Sequence, residues 1–369
     1  MAIEFAARIR RIPVYPVAAG YDLGADVAML ASNESPFGPL PAVVEAARRA
    51  MVGANRYPDP SYAALRHGLA DRYGIPPERI ALGNGSCDIL LAAGEALLEP
   101  GAEVVYAWPA FSVYPHLAAA SGARAIEVPL DAEERHDLDA IAAEVTVATR
   151  LVLICNPNNP TSTALGLEQI EALLERIPRH VCVILDEAYC EFALTLGDPY
   201  ASVELLTRWP NLVLLRTFSK VYGLAGLRVG YGLCGDERFR EAVDQVRQPF
   251  HVNAVAQAAA VEALRHQDAV EQRVTRTIAN RLALEEGIRG LGLWLADSEA
   301  NFVWMRLPDS EDGAHASLAA REAVISRGLA ERGVLVRGGT SLGREGALRV
   351  TVGTEAENAR FVAALAELL

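Results

Sequence analysis

Short apolar runs alternate with longer stretches of helical periodicity along most of this 369-residue chain. The runs are largely continuous rather than alternating, which is typical of strands that are covered on both faces of a sheet. The predicted strands are Ile80–Leu82, Val104–Ala107, Leu151–Cys155, Val181–Leu185, Leu212–Arg216 and Val229–Leu233. Predicted helices between them are Cys87–Leu98, Leu138–Val147, Leu167–Arg176 and Glu237–Val246. The alternation predicts an α/β fold with a mainly parallel sheet.

The pattern changes near residue 250. A long helical tract, rich in alanine and arginine, extends from Ala254 to Leu291. Beyond it, predicted strands at Asn301–Leu307 and Leu348–Val352 flank a helix at Ala316–Arg332. We therefore expect a large domain at 41–255 and a smaller αβ domain that combines 1–40 with 256–369.

The amino-acid composition argues against several classes of function. The chain is 51% hydrophobic and 22% charged, as in ordinary globular proteins. A net charge of −13 repels phosphate backbones and argues against nucleic-acid binding. The N-terminus lacks a secretory apolar core, and the most apolar window, Ile89–Leu98, is too short to span a bilayer. The five cysteines are an odd number without CxxC spacing, so we expect free thiols in the cytoplasm and no metal site.

One basic residue stands apart from the other 33. All of those are arginine, and Lys220 is the sole lysine. Arginine can form salt bridges and bind phosphate, but its guanidinium stays protonated and cannot form an imine with a carbonyl. A position that keeps lysine in such a chain suggests a need for an amine that can lose its proton, as in Schiff-base chemistry. The alternative is a lysine that survives on the surface by chance.

Four polar segments follow predicted strands, where ligands bind in open α/β sheets. A glycine-rich turn around Gly85 and Ser86 leads into a helix and could hold a phosphate, although such turns are common. The second segment, 155–161, reads Cys-Asn-Pro-Asn-Asn-Pro-Thr and presents amides from a rigid loop. Asp186 ends an apolar strand and needs a cation, either a protonated ring nitrogen or a structural arginine. Lys220 lies in the fourth segment, where Ser219 and Arg228 could bind phosphate.

With these motifs the sequence resembles the fold-type I pyridoxal-phosphate (PLP) enzymes, in particular the histidinol-phosphate aminotransferase branch. The resemblance covers nearly the whole chain and includes 31–39 (Ala-Ser-Asn-Glu-Ser-Pro-Phe-Gly-Pro), 56–60 (Arg-Tyr-Pro-Asp-Pro) and 348–354 (Leu-Arg-Val-Thr-Val-Gly-Thr). It implies a large domain with a mainly parallel seven-stranded sheet, a smaller αβ domain, PLP as cofactor and a homodimer.

The resemblance also implies residue roles. Lys220 would form a Schiff base with PLP and move a proton, while Asp186 would pair with the ring nitrogen. Tyr189 and Asn159 would hydrogen-bond the cofactor's 3′-oxygen, and Phe111 would stack on its ring. The implied phosphate contacts are Gly85, Ser86, Cys87, Ser219, Arg228 and, from the neighbouring subunit, Tyr57. The implied substrate contacts are Tyr15, Asn33, Arg337 and Arg349.

Three positions depart from the family pattern. Ser162 replaces a usual glycine, a change that we expect to affect a turn rather than the reaction. Cys87 stands where an acidic residue is usual, and the segment around Tyr15 matches only loosely.

The predicted reaction is transfer of the amino group of L-histidinol phosphate to 2-oxoglutarate, which yields imidazole acetol phosphate and L-glutamate in histidine biosynthesis. Three alternatives stay open: an aromatic or broad-range aminotransferase, a decarboxylase of a phosphorylated amino acid such as threonine phosphate, and a non-catalytic scaffold.

Overall fold

The computed structural model describes residues 3–5, 7–12, 26–308 and 317–369. Its strands, in chain order, are β1 (Ala28–Met29), β2 (Ile80–Gly83), β3 (Glu103–Trp108), β4 (Arg124–Pro129), β5 (Thr149–Cys155), β6 (Cys182–Asp186), β7 (Leu212–Thr217), β8 (Gly230–Cys234), β9 (Trp294–Leu295), β10 (Phe302–Arg306), β11 (Val334–Leu335), β12 (Arg337–Gly338) and β13 (Ala347–Thr351). Its α-helices are α1 (Pro41–Met51), α2 (Ala63–Tyr73), α3 (Ser86–Leu97), α4 (Tyr114–Ser121), α5 (Leu138–Ala143), α6 (Leu167–Arg176), α7 (Glu237–Val246), α8 (Ala254–Leu264), α9 (Gln267–Gly290), α10 (Leu318–Glu331) and α11 (Glu355–Ala366).

Seven strands form the large sheet, in the order β2-β8-β7-β6-β5-β3-β4. The pairs β3–β4, β3–β5, β5–β6 and β6–β7 are parallel, and only β8 runs antiparallel to its neighbours. The predicted α/β class and mainly parallel seven-stranded sheet are confirmed.

Alternate side chains of the central strands enter two different cores. In β6, Val183 and Leu185 pack on one face of the sheet and Ile184 on the other, and all three are at most 1% exposed. A strand covered on both faces excludes polar side chains along its length. Polar groups can therefore appear only where such strands end, which is where the site lies.

Strands from the C-terminal part form a second sheet with antiparallel pairing, in the order β12-β13-β10-β9. Separately, β1 pairs in parallel with β11, which brings the segment after residue 26 against the C-terminal αβ unit. A third core lies beneath these strands and includes Leu284, Val303, Leu348 and Phe361. The domain boundaries at 41–255 and 256–369 stay a prediction.

The helical tract predicted from Ala254 to Leu291 is two helices, since α8 ends at Leu264 and α9 begins at Gln267. The break falls at Arg265 and His266, and His266 has the non-helical ψ of 53°. None of the helices in the described ranges is long and apolar enough to cross a membrane.

Candidate active site

A cavity of about 570 Å³ opens at the carboxyl ends of the parallel strands. Loops that follow β2, β3, β5, β6 and β7 contribute to its wall, and the segment Ala31–Glu34 and two arginines of the second sheet close it. Most of the residues predicted for the site line this one cavity: Asn33, Ser86, Cys87, Phe111, Asn159, Asp186, Tyr189, Ser219, Lys220, Arg228, Arg337 and Arg349.

The glycine-rich turn after β2 packs tightly against Arg228. Gly85 has a φ of +77°, and a Cβ atom there would collide with the Arg228 guanidinium. Gly230 is equally restricted, because its Cβ would collide with the backbone nitrogen of Ser86. Arg228 also donates to the Ser219 hydroxyl at 3.4 Å. The N-terminus of α3, a guanidinium and two hydroxyls thus converge, as an anion-binding site requires.

Asp186 ends β6 and is only 3% exposed. It accepts hydrogen bonds from the Tyr114 hydroxyl at 3.3 Å and from the Ala188 N–H at 3.3 Å. It forms no salt bridge with any residue that the structure describes. Burial, only partly offset by these donors, raises the pKa of Asp186 to about 7. A carboxylate in this position would be stabilised by a cationic ligand, because the described residues provide no guanidinium partner.

Lys220 follows β7 and projects into the same cavity. Its Nζ donates to the Ser32 carbonyl at 3.2 Å and lies 5.7 Å from the centre of the Tyr189 ring. Burial, followed by the positive charge of Arg349, lowers the pKa of Lys220 to about 7. The amine is therefore substantially deprotonated at neutral pH, as attack on a carbonyl requires. The alternative of a chance surface lysine does not agree with this position.

A hydrogen-bonded network faces the amine from the other wall. Tyr189 accepts from the side-chain amides of Asn33 at 3.2 Å and Asn159 at 3.5 Å. Arg349 donates to Asn159 Oδ1 at 2.6 Å and to the Ala31 carbonyl at 2.7 Å. Burial raises the pKa of the Tyr189 hydroxyl, so that it remains a hydrogen-bond donor at neutral pH.

Of the other predicted residues, Gly85 lies against Arg228 beside the cavity, whereas Tyr57 does not line it. Tyr57 is 81% exposed and stacks on Phe250 at a centroid distance of 4.6 Å. Tyr15 lies outside the described residues. Cys87 lines the cavity with a thiol whose pKa burial raises to about 11, so it is a neutral group.

Sequence reasoning missed Ser32 and Glu34, which line the cavity, and Tyr114, which contacts Asp186. Tyr114 contacts Asp186 across 72 residues of sequence, and no local pattern predicts such a contact. Ser32 contributes only its carbonyl, which carries no signal in the side-chain sequence. Glu34 does have a sequence signal, because its carboxylate lies next to Asn33 in the segment 31–39. In the described ranges no cluster of three histidine, cysteine or acidic side chains could hold a metal ion.

An amine of lowered pKa, a buried carboxylate without an arginine and an anion site around one cavity define a fold-type I PLP enzyme. Residues 25–365 match the family model for aminotransferases of class I and II, and the chain belongs to this family. It is a PLP-dependent transaminase.

Relatives and solved structures agree on the family. An aromatic amino acid aminotransferase of Thermobifida fusca is 47% identical over 312 residues, which cover 84% of this chain and 85% of that protein. Histidinol-phosphate aminotransferase 2 of Ralstonia nicotianae is 43% identical over 360 residues, 97% of this chain and 93% of that protein. The crystal structure of histidinol-phosphate aminotransferase from Sinorhizobium meliloti in complex with pyridoxal-5′-phosphate has a TM-score of 0.86 and 29% identity, and the match covers 100% of this chain and 98% of that one.

The described residues fit PLP. The anion site at Ser86, Ser219 and Arg228 matches a phosphate, and a protonated ring nitrogen would pair with Asp186. Lys220 lines the same cavity and supplies the amine with which the cofactor's aldehyde would react.

Proposed function

We propose that the chain transfers the amino group of L-histidinol phosphate to 2-oxoglutarate. The main support for this proposal is that two guanidiniums, from Arg337 and Arg349, line the cavity that also contains Lys220. Glutamate and 2-oxoglutarate carry two carboxylates each, and histidinol phosphate carries a phosphate. Substrates of both half-reactions can therefore pair with the same arginines.

When bound, PLP supplies an electron sink for the bonds at the substrate's Cα. Lys220 is the residue to which we assign both the covalent attachment and proton transfer at Cα, because its amine is near half-protonation at pH 7. Asp186 would keep the ring nitrogen protonated. Tyr189 and Asn159 would donate to the 3′-oxygen, and Phe111 would cover the ring face.

The phosphate would be held by Ser86, Ser219, Arg228 and the backbone of Gly85 and Cys87. For the substrate we assign its anionic groups to Arg349 and Arg337, and a polar contact to Asn33.

Lys220→Arg tests the assignment. The charge is preserved and the imine chemistry is lost, so the variant should fold and have no measurable turnover. Borohydride reduction of the wild-type holoenzyme, followed by peptide mapping, should place the phosphopyridoxyl group on the peptide that contains Lys220. Normal turnover by Lys220→Arg, or a label on another peptide, would contradict the proposal.

An aromatic aminotransferase is a second candidate, because relatives from Thermobifida fusca and Streptomyces coelicolor, 47% and 40% identical, bear that name. A panel of histidinol phosphate, phenylalanine, tyrosine and leucine, each with 2-oxoglutarate, distinguishes the candidates by kcat/KM. Release of carbon dioxide without amino transfer would instead indicate a decarboxylase.

We also propose a cytoplasmic homodimer in which Tyr57 reaches the phosphate in the neighbouring subunit. Support comes from the exposure of its ring, which follows the exposed Met51 and Val52 in sequence, and from its absence from the cavity of its own subunit. Mixing Lys220→Arg with Tyr57→Ala subunits tests this. Only if Tyr57 acts across the interface does a hybrid dimer contain one intact site and regain activity.

A further inference from the structure

Ser162 combines complete burial with a left-handed backbone. It lies in the loop between β5 and α6, three residues after Asn159, with a φ of +66° and 0% exposure. This region of φ is unfavourable for a residue with a Cβ and is usually occupied by glycine. A serine in this conformation has a strained backbone, which suggests that its hydroxyl has a structural or functional role.

That hydroxyl joins the two sheets. Ser162 Oγ donates to the Phe302 carbonyl at 2.8 Å and accepts from the N–H groups of Glu299 at 3.1 Å and Ala300 at 3.3 Å. The Ser162 carbonyl also accepts from the Glu299 N–H at 2.7 Å. All these partners lie in the segment that enters β10 of the second sheet.

Both ends of this connection adjoin residues that line the cavity. Phe302 packs edge-on against Tyr189 at 5.0 Å, and its ring lies 5.5 Å from the Arg349 guanidinium. Arg349 in turn donates to Asn159, on the loop that carries Ser162. The contacts therefore close a ring that runs through Ser162, Phe302, Arg349 and Asn159.

We propose that Ser162 is a positioning residue that fixes Asn159 and Arg349 relative to each other. Ser162 is not among the residues that line the cavity. Without the Ser162 hydroxyl, the loop between β5 and α6 can shift relative to β10. The Arg349 guanidinium and the Asn159 amide are then no longer held in a fixed relative position. The inference rests on the proposed roles of Asn159 and Arg349.

The test compares Ser162→Ala with Ser298→Ala in the holoenzyme. Ser298 is a matched control, because it is also buried and its hydroxyl donates to the Ala296 carbonyl, two residues away, at 3.3 Å. For Ser162→Ala we expect the KM for 2-oxoglutarate to rise roughly three- to tenfold with a smaller change in kcat, as loss of one hydrogen bond allows. Ser298→Ala should leave KM unchanged.

Two readouts are independent of turnover. The Kd of 2-oxoglutarate for the PLP form, measured by calorimetry, should rise by the same factor in Ser162→Ala. The pH at which the visible absorption of the bound cofactor changes should also shift, since Asn159 contacts the Tyr189 hydroxyl. A purely structural loss of stability would move neither quantity.

Ser162→Gly keeps the inference testable if the alanine variant folds poorly, because glycine relieves the strain at φ +66° while it also removes the hydroxyl. It should melt at a higher temperature than Ser162→Ala and show the same rise in KM and Kd. Wild-type KM and Kd in Ser162→Gly would overturn the inference. Activity of Lys220→Arg would instead overturn the proposed function, so the two failures are distinguishable.

Discussion

Two adjacent carboxylates at the end of β6 have opposite environments. Asp186 and Glu187 are each 3% exposed. Glu187 pairs with the buried Arg216 at 2.8 Å, and Arg216 is further bound by the Pro199 carbonyl and the Ser202 hydroxyl. Asp186, on the opposite face of the sheet, accepts hydrogen bonds from the neutral donors of Tyr114 and Ala188, and no described residue forms a salt bridge with it.

The two environments indicate different roles: Glu187 stabilises the fold, whereas Asp186 serves the site. The buried carboxylate of Glu187 is matched by a guanidinium, as are those of Glu103, Glu134 and Glu285, whereas the buried Glu322 accepts hydrogen bonds from Thr340 and the Gly346 N–H. Asp186 has no guanidinium partner among the described residues, and burial raises its pKa to about 7. Burial of the ionised Asp186 carboxylate without a cation is unfavourable in the protein alone. The same burial favours binding of a cationic ring that pairs with the carboxylate.

The largest expected effect is on catalysis by Asp186→Asn. Loss of the charge that keeps the ring nitrogen protonated should lower kcat/KM at least about a thousandfold, or about 4 kcal/mol. Steady-state kinetics measures it. Glu187→Gln is the control and should retain turnover per folded molecule within a few-fold. Equal losses of kcat/KM in both variants would show that Asp186 has no catalytic role distinct from that of Glu187.

The Asp186→Asn variant also gives a pH-dependent readout of stability. Because the pKa of Asp186 is raised in the folded state, its contribution to stability is present below its ordinary value of 3.8 and is lost as the pH rises through about 7. The Asp186→Asn apoprotein should therefore melt higher than the wild-type apoprotein at pH 8, and this gain should shrink at pH 5.

The amine opposite Asp186 should titrate near neutrality. We expect Lys220 in the apoenzyme to have a pKa of about 7 instead of 10.5, first because of burial and second because of Arg349. Reductive methylation with ¹³C-formaldehyde and NMR titration would measure it, since the N-terminal amine gives the only other signal. Lys220→Arg identifies that signal, and a midpoint near 10 would contradict the expectation.

Glu187→Gln should act on stability. Removal of one partner leaves the buried guanidinium of Arg216 uncompensated, at a cost of about 3 kcal/mol in the free energy of unfolding. Chemical denaturation of the apoprotein measures this, and Glu187→Gln combined with Arg216→Met should recover part of the loss. No destabilisation by the single variant would show that the ion pair is not structural.

The smallest effect is expected for Tyr114→Phe. Loss of the hydroxyl removes a donor to Asp186 and raises the pKa of that carboxyl further, which weakens its ionised form by about 1 kcal/mol. The Kd of PLP should rise by about fivefold. Tyr106→Phe is the matched control, because its hydroxyl donates to Glu127 at 3.0 Å. A similar change in Tyr106→Phe would mean that the effect is not specific to Asp186.

Most of the large sheet could be predicted because buried strands give continuous apolar runs. β4 was missed because it is an edge strand whose side chains are mostly exposed and whose apolar run is interrupted by Glu127. α2 was missed because its apolar residues do not form one helical face. α11 had a usable signal, the capping box between Thr354 and Glu357. Strands of two residues, such as β9, are set by their partners and leave no pattern.

The site was predictable where chemistry restricts residue choice, as at Lys220 and Asp186. Contacts made by long-range packing were not. The expectation that the Ser162 departure affects only a turn could not include the contact with Phe302, which lies 140 positions along the chain.

The partly buried amine of Lys220 has a practical consequence. Because no other side chain carries a primary amine, fixatives and dyes directed at amines can react only at the N-terminus and in the cavity. Such reagents would act as inhibitors of this protein, and bound cofactor would protect against them. Attachment to a surface through lysine would likewise inactivate every molecule that it captured.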